Sequence, residues 1–255
     1  MTETIGFIGT GTITAAIVRG LKASAQGQRP VLLSPRSAQL SAELAAGLPG
    51  VSVASSNQDV LDRADLVVLA VRPQVAEAVL TDLRFAPEKP VISLIAGLDH
   101  DRLRAWTGVA RLCRAIPLPF VESRNDAVPV FPPLPEAMQI FGALGQAMPV
   151  HDRAAFDAYA TLSALMGSYF GIVEVAQDWG KAQGLTEAEA RAYLGRMFAN
   201  LGTVLQGSGL SLADLRHEHS TAGGLNEQAF AEFTKAGGTA ALTAALNSVL
   251  RRAQG

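Results

Sequence analysis

The N-terminal part of the chain alternates short apolar runs with segments in which apolar residues recur at helical spacing. This alternation, repeated many times, is typical of an α/β fold with a parallel sheet. The run at 65–71 is apolar on both faces, as expected of a central parallel strand covered by helices. The runs that predict strands lie at residues 5–8, 31–33, 51–53, 65–71, 91–95, 109–114, 127–131 and 147–150, with helices at 38–46 and from Pro135.

From His151 onwards the pattern predicts no strand, and long helical segments follow one another. Gly184, Gly207 and Gly209 separate them at positions typical of helix ends. Within one segment an apolar stripe is formed by Ala190, Leu194, Phe198, Leu201 and Leu205. A second subunit commonly covers such faces on a small helical domain, so we expect a homodimer or a higher homo-oligomer. The predicted helices lie at 154–166, 169–183, 187–205, 229–236 and 239–253.

A glycine turn, Gly9-Thr10-Gly11, joins the first predicted strand to the helix that follows. A dinucleotide pyrophosphate requires this arrangement: Gly9 permits the turn and Gly11 lets the backbone approach the phosphates. The helix N-terminus adds free N–H groups and a positive dipole end. Thr14 stands where the pattern has a third glycine that serves close helix–strand packing. We therefore expect a looser packing contact, with the phosphate site retained.

The second predicted strand ends at Ser34-Pro35-Arg36-Ser37, where such a fold places the adenine ribose. An acidic residue there would bind the ribose hydroxyls of NAD, whereas an arginine accommodates the 2′-phosphate of NADP. This loop has no carboxylate, but it has two serine hydroxyls and the Arg36 guanidinium, which binds phosphate in a forked geometry. We expect NADP(H) to be preferred over NAD(H). Ser34 and Ser37 could also cap the helix at 38–46, and the two roles are compatible.

Together these patterns predict the α/β class, with an N-terminal Rossmann-type doubly wound sheet followed by an all-helical C-terminal dimerisation domain. We expect an NADP-binding Rossmann domain at residues 1–150 and a helical dimerisation and substrate domain at 151–255. Ligands of open α/β sheets lie beyond the carboxyl ends of the strands, so the predicted strand ends should converge on one cleft.

Composition narrows the class of protein further. Of the 255 residues 49% are hydrophobic and 17% are charged, and the formal net charge is −2 at pH 7. This balance is typical of a compact globular protein and offers no basic excess for nucleic acid. The single cysteine, Cys113, excludes an internal disulfide and fits a reducing compartment. Neither a signal-peptide pattern nor an apolar run of about 18 residues is present, so we expect a cytoplasmic protein without a membrane span.

Several motifs resemble those of the pyrroline-5-carboxylate reductase family and extend over nearly the whole chain. In the N-terminal half they are the glycine turn with Ala16-Ile17 and Gly20-Leu21, Asn57 ahead of Ala64-Asp65, LAVRPQ at 69–74, Ser93 with Ala96-Gly97, and Arg114-Ala115-Ile116-Pro117. In the helical half they are Glu174, Gly184-Leu185 and STAGGLNEQAF at 220–230, which is similar to the family's SPGGTT signature. The resemblance implies a Rossmann domain, a helical dimerisation domain and an active site shared between subunits.

The resemblance also implies an activity, the NADPH-dependent reduction of the C=N bond of a small cyclic imino acid, such as 1-pyrroline-5-carboxylate to proline. By that similarity the cofactor would be lined by Asn57, Val71, Arg72, Pro73, Ala96 and Gly97. The glycine turn, the helix start and the ribose loop add the remaining expected cofactor residues, which are Gly9, Gly11, Thr12, Ile13, Ser34, Arg36 and Ser37.

By the same similarity the turn at 221–226 would meet the substrate. The N–H groups of Gly223 and Gly224 precede a helix, which suits a substrate carboxylate. We expect Thr221, Asn226 and His219 to take part in catalysis, His219 as a proton donor or substrate contact. The other predicted substrate contacts are Ser220, Gly223, Gly224, Leu225 and Leu118.

The substrate half departs from the family pattern. Leu225 and Asn226 replace the threonines of SPGGTT, Ala222 replaces the proline, Leu118 replaces the asparagine after Arg-x-Met-Pro, and Leu165-Met166-Gly167 replaces a Gly-Pro-Ala run. Losing a hydrogen-bonding group at a polar part of a substrate changes discrimination by orders of magnitude. These replacements favour an altered substrate, either another imine or a carbonyl compound.

Two other functions are compatible with the sequence. A carbonyl dehydrogenase of the 2-keto or β-hydroxy acid type needs an acid such as Lys181 or His219, although Lys181 better complements a helix C-terminus. A catalytically silent nucleotide-binding regulatory protein would tolerate Leu118 and Leu225. His217 and His219 do not share a helix face and have no further ligand cluster, so we predict no metal site.

Overall fold

The computed structural model describes residues 3–254, which contain one eight-stranded sheet. Its strands are β1 (Ile5–Ile8), β2 (Val31–Leu33), β3 (Val51–Val53), β4 (Leu66–Leu69), β5 (Val91–Ser93), β6 (Leu112–Ala115), β7 (Asp126–Phe131) and β8 (Gly145–Pro149). They lie in the order β3-β2-β1-β4-β5-β6-β7-β8. The strands β1 to β6 are parallel, β7 is antiparallel to β6, and β8 is parallel to β7. The strand order reverses at β1, which is where open α/β sheets bind ligands.

Helices cover both faces of the sheet, because alternate residues of a strand point to opposite sides. On one face Phe7 packs in the same apolar cluster as Ile17. On the other face Ile8 and Val67 share a cluster with Val60. The helices of this region are α1 (Thr12–Lys22), α2 (Ala38–Gly47), α3 (Asn57–Arg63), α4 (Pro73–Leu80), α5 (His100–Thr107) and α6 (Pro135–Gly142), with a short 3₁₀ helix at Pro119–Ser123.

The rest of the chain is helical. Its helices are α7 (Arg153–Ser163), α8 (Leu165–Ala182), α9 (Glu187–Gly207), α10 (Leu212–Glu218), α11 (Leu225–Lys235) and α12 (Gly238–Gln254). The chain forms two compact units. One ends at Thr161 and takes in the chain from Leu250 onwards, and the other comprises Leu162–Val249. The two boundaries therefore fall within α7 and within α12, and the sheet lies in the first unit.

The predicted fold class is confirmed, and β2 and β3 have the predicted bounds. In contrast, β6 begins at Leu112, later than its apolar run suggests. Gly108 ends α5 in the left-handed region, with φ of 67°. The Ala110 N–H then donates to the carbonyl oxygen of Pro87 instead of joining a ladder. Tertiary hydrogen bonding thus sets the start of this strand.

Two helices near the glycine-rich segment of the second unit differ from the prediction. The pattern does not predict α10, because its sequence LADLRHE lacks an apolar stripe; the Ser211 hydroxyl caps this helix by accepting the Asp214 N–H. The helix α11 begins at Leu225 rather than at 229. Gly224 is its N-cap in extended conformation, which lets the helix start directly after the turn.

Cys113 is buried on β6, and burial raises the pKa of its thiol to about 12. The nucleophilic form of cysteine is the thiolate. At neutral pH this side chain is therefore an inert, protonated part of the core.

The second unit of the isolated chain exposes large apolar side chains. Val175 and Trp179 of α8 are 71% and 67% exposed, and Tyr193 of α9 and Leu212 of α10 are each 70% exposed. Large apolar side chains exposed in this number are available for association with another surface. Separately, none of the helices within residues 3–254 has the length and apolar character needed to cross a membrane.

Candidate active site

The glycine turn has the geometry expected of a phosphate site. Gly9 has φ of 101°, and a Cβ built on it would lie 2.5 Å from the carbonyl oxygen of Ala70, so only glycine fits. Gly11 is the N-cap of α1 and makes no side-chain capping bond, and a Cβ built on it would meet no atom within 4 Å. The space beside Gly11 at the start of α1 is therefore open, and no side chain caps the helix there. A dinucleotide pyrophosphate fits this arrangement.

Thr14 does not loosen the contact between α1 and β1, contrary to the expectation from the missing third glycine. Its side chain is fully buried, and its hydroxyl donates to the carbonyl oxygen of Gly9 at 2.7 Å. This bond connects Gly9, the first residue of the glycine turn, to the N-terminal end of α1. Thr14 therefore replaces the packing role of a glycine with a hydrogen bond.

The ribose loop differs from the prediction at Ser34. Ser34 is 0% exposed, and its hydroxyl oxygen accepts the Gly9 N–H at 2.9 Å. The hydroxyl is therefore engaged with the glycine turn, and burial keeps it from a 2′-phosphate. Arg36 is exposed and Ser37 is half-buried. Ser37 is the N-cap of α2 but makes no side-chain capping bond, so its expected capping role is absent in this structure.

The other predicted cofactor residues follow the carboxyl ends of neighbouring strands. Val71 comes after β4, and Arg72 is the N-cap of α4, whose first residue is Pro73. Ala96 and Gly97 come after β5 and are exposed, with φ of 71° at Gly97. Asn57, the first residue of α3, follows β3, and Leu118 follows β6 as the N-cap of the 3₁₀ helix. Since β1 to β6 are parallel, all these residues lie along the same edge of the sheet.

The predicted substrate turn in the second unit is closed by hydrogen bonds of its own. The Gly223 N–H donates to Glu227 Oε2 at 2.7 Å, and the Gly224 N–H donates to the carbonyl oxygen of Thr221 at 2.8 Å. Both N–H groups expected to receive a substrate carboxylate thus have internal acceptors. The N–H groups in the first turn of α11 remain available to a substrate carboxylate, because the N-cap Gly224 makes no side-chain capping bond.

The neighbouring polar side chains are also oriented. Asn226 Nδ2 donates to the carbonyl oxygen of His219 at 2.7 Å. His219 Nδ1 donates in turn to the carbonyl oxygen of Leu215 at 2.8 Å, which fixes the tautomer of the neutral ring. Leu225 is 83% exposed and points no polar group at the turn.

A shallow pocket lies beside this turn; it includes the predicted contact Ser220 together with Arg216 and Glu227, which were not predicted site residues. The Arg216 guanidinium stacks over the Phe230 ring, with Cζ 4.9 Å from the ring centroid. Glu227 belongs to the STAGGLNEQAF motif, so the sequence places it near the turn. Its hydrogen bond with the Gly223 N–H was not predictable, because that bond depends on the conformation of the turn. The pocket is lined by Arg216, His217, Ser220, Glu227, Phe230 and Ala231.

Other polar groups of the second unit have structural partners. Lys181 lies in the last turn of α8, and its Nζ is 3.4 Å from Asp178 Oδ1 and 4.0 Å from Glu187 Oε2. Complementing a helix C-terminus accounts for this lysine. Across residues 3–254 no group of three or more His, Cys, Asp or Glu side chains is arranged to hold a metal ion.

The Arg-Ala-Ile-Pro segment places a buried charge at the end of β6. Arg114 Nη1 lies 3.8 Å from Asp157 Oδ1, and the guanidinium stacks over Phe156 with 4.6 Å between Cζ and the ring centroid. Desolvation lowers the pKa of Arg114, while the charge of Asp157 opposes that shift. The ion pair joins β6 to α7 within the first unit.

His100, the first residue of α5, lies close to this cluster. Its Nε2 donates to the carbonyl oxygen of Leu112 at 2.9 Å, and its ring packs edge-on against Phe131 with centroids 5.6 Å apart. Desolvation lowers the pKa of His100 below 6.5, with a further contribution from the charge of Arg104. The folded protein therefore favours the neutral ring more than the unfolded chain does.

This shift predicts a loss of stability on acidification. Around pH 6.5 and below, the unfolded chain binds a proton at His100 more readily than the folded chain does, so stability falls as pH decreases through this range. Replacing the ring with a non-titrating donor, His100→Gln, should reduce the loss between about pH 7.5 and pH 5.5 by at most about 1.4 kcal/mol, the limit set by one proton. Urea unfolding at a series of pH values measures it. The exposed His151→Gln is the control, and parallel curves for His100→Gln and the wild type would contradict the prediction.

The parallel strands β1 to β6, with the reversal of strand order at β1 and the glycine turn before α1, define a Rossmann-type fold of the kind that binds dinucleotides. Residues 4–97 match the family model described as NADP oxidoreductase coenzyme F420-dependent, and residues 154–255 match the model described as pyrroline-5-carboxylate reductase dimerisation. The C-terminal part of the chain is therefore similar to the dimerisation domain of pyrroline-5-carboxylate reductases, and the N-terminal part is similar to a family of NADP-dependent oxidoreductases.

Individual relatives resemble the chain over nearly its full length. Pyrroline-5-carboxylate reductase of Pseudomonas aeruginosa is 29% identical, with 98% of this chain and 96% of the relative aligned. The enzyme of that name from Arabidopsis thaliana is 26% identical over 98% of this chain and 94% of its own length. A solved pyrroline-5-carboxylate reductase from Coxiella burnetii superimposes with a TM-score of 0.85 at 26% identity, covering 100% of this chain and 98% of that one.

Proposed function

We propose that this chain is an NADPH-dependent reductase of the C=N bond of a small cyclic imine of the pyrroline-5-carboxylate type. The observation that carries the proposal is the Gly9–Gly11 turn, where the N-terminus of α1 has no side-chain cap and the space beside Gly11 is open. The similarity of the chain over nearly its full length to the Pseudomonas and Arabidopsis enzymes supports the reaction class. The bound dinucleotide supplies the hydride.

The protein itself must hold the dinucleotide and the imine in the correct relative orientation and exclude water from the reacting atoms. The glycine turn binds the pyrophosphate through the backbone N–H groups at the start of α1. The segments that follow β4 and β5, residues 71–73 and 96–97, continue the cofactor site along the same edge of the sheet. This order supports a dinucleotide in extended form across the strand ends.

The proposed substrate residues need to supply little acid–base chemistry. A cyclic imine can bind already protonated, so a strong general acid is not required. The hydroxyls of Ser220 and Thr221 can hydrogen-bond to a ring nitrogen or a carboxylate. The bond from His219 Nδ1 to Leu215 leaves Nε2 as the nitrogen that exchanges a proton. Asn226, held by the carbonyl of His219, orients the turn.

We propose NADP(H) as the preferred cofactor. Arg36 is exposed and Ser37 makes no capping bond, so both remain able to bind a 2′-phosphate. No carboxylate occurs between Ser34 and Ser37 to bind ribose hydroxyls. The burial of Ser34 narrows the proposed 2′-phosphate contacts to Arg36 and Ser37.

We propose that two copies of the chain associate through the helical unit. The match of residues 154–255 to a dimerisation model and the exposed Val175, Trp179, Tyr193 and Leu212 support this assembly. Size-exclusion chromatography with light scattering should give at least twice the mass of the chain at micromolar concentration. A stable monomer at that concentration would contradict the assembly.

The reaction is tested by following NADPH absorbance against cyclic imines with and without a carboxylate and against 2-keto acids. Turnover of an imine, with the keto acids inert, is the expected result. Selective turnover of keto acids would replace the proposal with a carbonyl dehydrogenase. Cofactor binding without turnover of any of these compounds would favour a catalytically silent nucleotide-binding protein. Such a protein would tolerate the apolar side chains of Leu118 and Leu225 at the predicted substrate positions.

The Glu227 carboxylate should weaken the binding of substrates that carry a carboxylate, because the two like charges repel each other. It accepts the Gly223 N–H and places a negative charge within the turn. In Glu227→Gln we expect the KM of a carboxylated cyclic imine to fall by roughly three- to tenfold relative to that of the uncharged ring, because a like charge at short range is removed. The matched control is Glu232→Gln on the same helix, where Glu232 pairs with Lys235. An equal change for both substrates would contradict this role.

A further inference from the structure

Ser34 occupies the centre of a buried hydrogen-bond network at the end of β2. Its hydroxyl oxygen accepts the Gly9 N–H at 2.9 Å. Its carbonyl oxygen accepts the hydroxyls of Thr10 and Ser41, each at 3.0 Å. One residue therefore bonds to the glycine turn through both its side chain and its backbone, and to α2 through its backbone.

The network is shielded from solvent. Thr10 is 2% exposed, and Ser34 and Ser41 are both 0% exposed. The hydroxyls of Thr10 and Ser34 are also 3.3 Å apart, within hydrogen-bonding distance of each other. Buried hydrogen bonds of this kind fix geometry, since breaking one leaves a polar group without a partner. The three segments that meet here are the glycine turn, the ribose loop and the first half of α2.

We propose that Ser34 is a positioning residue that fixes the glycine turn relative to the loop carrying Arg36. This inference rests on the proposed binding of a nicotinamide dinucleotide. The turn is the pyrophosphate site and the loop is the ribose site, so their relative position must match the fixed spacing of the two groups in the ligand. Thr10 assists by holding the Ser34 carbonyl, and it lies between the two glycines of the turn.

Positioning and direct contact predict different cofactor selectivity. NADPH and NADH share the pyrophosphate and differ only in the 2′-phosphate. A residue that places the turn affects both ligands equally, whereas a residue that binds the 2′-phosphate affects NADPH alone. Ser34 and Ser37 are close in sequence and chemically identical, yet one is buried and the other half-buried. They form a matched pair for this comparison.

Calorimetric titration of Ser34→Ala, Ser37→Ala and the wild-type protein with NADPH and NADH tests the proposal. We expect Ser34→Ala to weaken both cofactors by a similar factor, roughly tenfold, leaving their ratio unchanged. Ser37→Ala should weaken NADPH alone. A selective loss of NADPH in Ser34→Ala would show direct contact and overturn the positioning role. A lowered Tm with both affinities unchanged would show a purely structural role and would also overturn it.

A second pair of variants keeps the test decisive if Ser34→Ala does not fold. Thr10→Val removes the hydroxyl that holds the Ser34 carbonyl at nearly constant shape, and Thr10→Ser retains it. We expect Thr10→Val to weaken NADPH and NADH alike by roughly three- to tenfold, and Thr10→Ser to restore most of the affinity. Equal affinities for the two Thr10 variants would overturn the proposal. The wild type is titrated first: failure to bind either cofactor would refute the proposed function, and the positioning role with it.

Discussion

Gly11→Ala should abolish dinucleotide binding, with at least a hundredfold loss of affinity for NADPH and NADH, while the protein remains folded. Gly11 has φ of −106° and ψ of −169°, which alanine adopts freely, and the added methyl group meets no protein atom within 4 Å. The space it enters is the approach to the helix N-terminus that a pyrophosphate requires. We therefore expect the free energy of unfolding to change by no more than about 1 kcal/mol.

The neighbouring glycine provides the contrast. Gly9→Ala demands φ of 101° from a residue with a side chain and places Cβ 2.5 Å from the Ala70 carbonyl oxygen. It should lower the stability of the protein itself, by roughly 1–3 kcal/mol. Calorimetry with NADPH and urea unfolding of both variants measure the two effects. Normal cofactor binding by Gly11→Ala would mean that the phosphates do not lie at this turn.

Arg36→Ala should reduce the affinity for NADPH by roughly ten- to a hundredfold and leave that for NADH within about twofold, because a charged hydrogen bond contributes about 1.5–3 kcal/mol. Arg36 is exposed at the end of β2, so its only expected electrostatic partner is the 2′-phosphate of the ligand. The affinity difference between the two cofactors should also diminish with added salt in the wild type.

Cofactor titrations of the wild type and Arg36→Ala measure this effect, with Arg84→Ala as the control. Arg84 is also an exposed arginine, and it follows α4 rather than β2. A parallel loss of NADPH and NADH affinity in Arg36→Ala would assign Arg36 to the shared part of the ligand. An unchanged preference would remove the proposed basis for NADP(H) selection.

The sequence was sufficient for the architecture because local patterns determine most of it. Buried parallel strands leave continuous apolar runs, and β2 and β3 coincide with theirs. The start of β6 was not predictable, since the hydrogen bond from Ala110 to Pro87 forms between segments distant in the chain. The helix α10 was missed because a cap at Ser211, rather than an apolar stripe, marks it.

In the candidate site, too, the features set by local sequence were predictable and those set by contacts between distant segments were not. The conformation of the glycine turn was predictable, because it depends on two glycines that are close together in the sequence. The burial of Ser34 was not, because it results from the meeting of three segments around one hydroxyl and one carbonyl. The bond from Gly223 to Glu227 likewise depends on a turn conformation that the residue pattern does not encode. These bonds decide which polar groups remain for a ligand.

The inert thiol on β6 has a practical consequence for studying this protein. Because Cys113 is the single cysteine of the chain, buried and with its pKa near 12, a cysteine engineered at an exposed position would be the sole group that reacts with maleimide reagents at neutral pH. Fluorophores or spin labels could then be attached to either compact unit without removing a native residue. Distances between such labels, measured with and without NADPH, would test whether cofactor binding changes the proposed assembly.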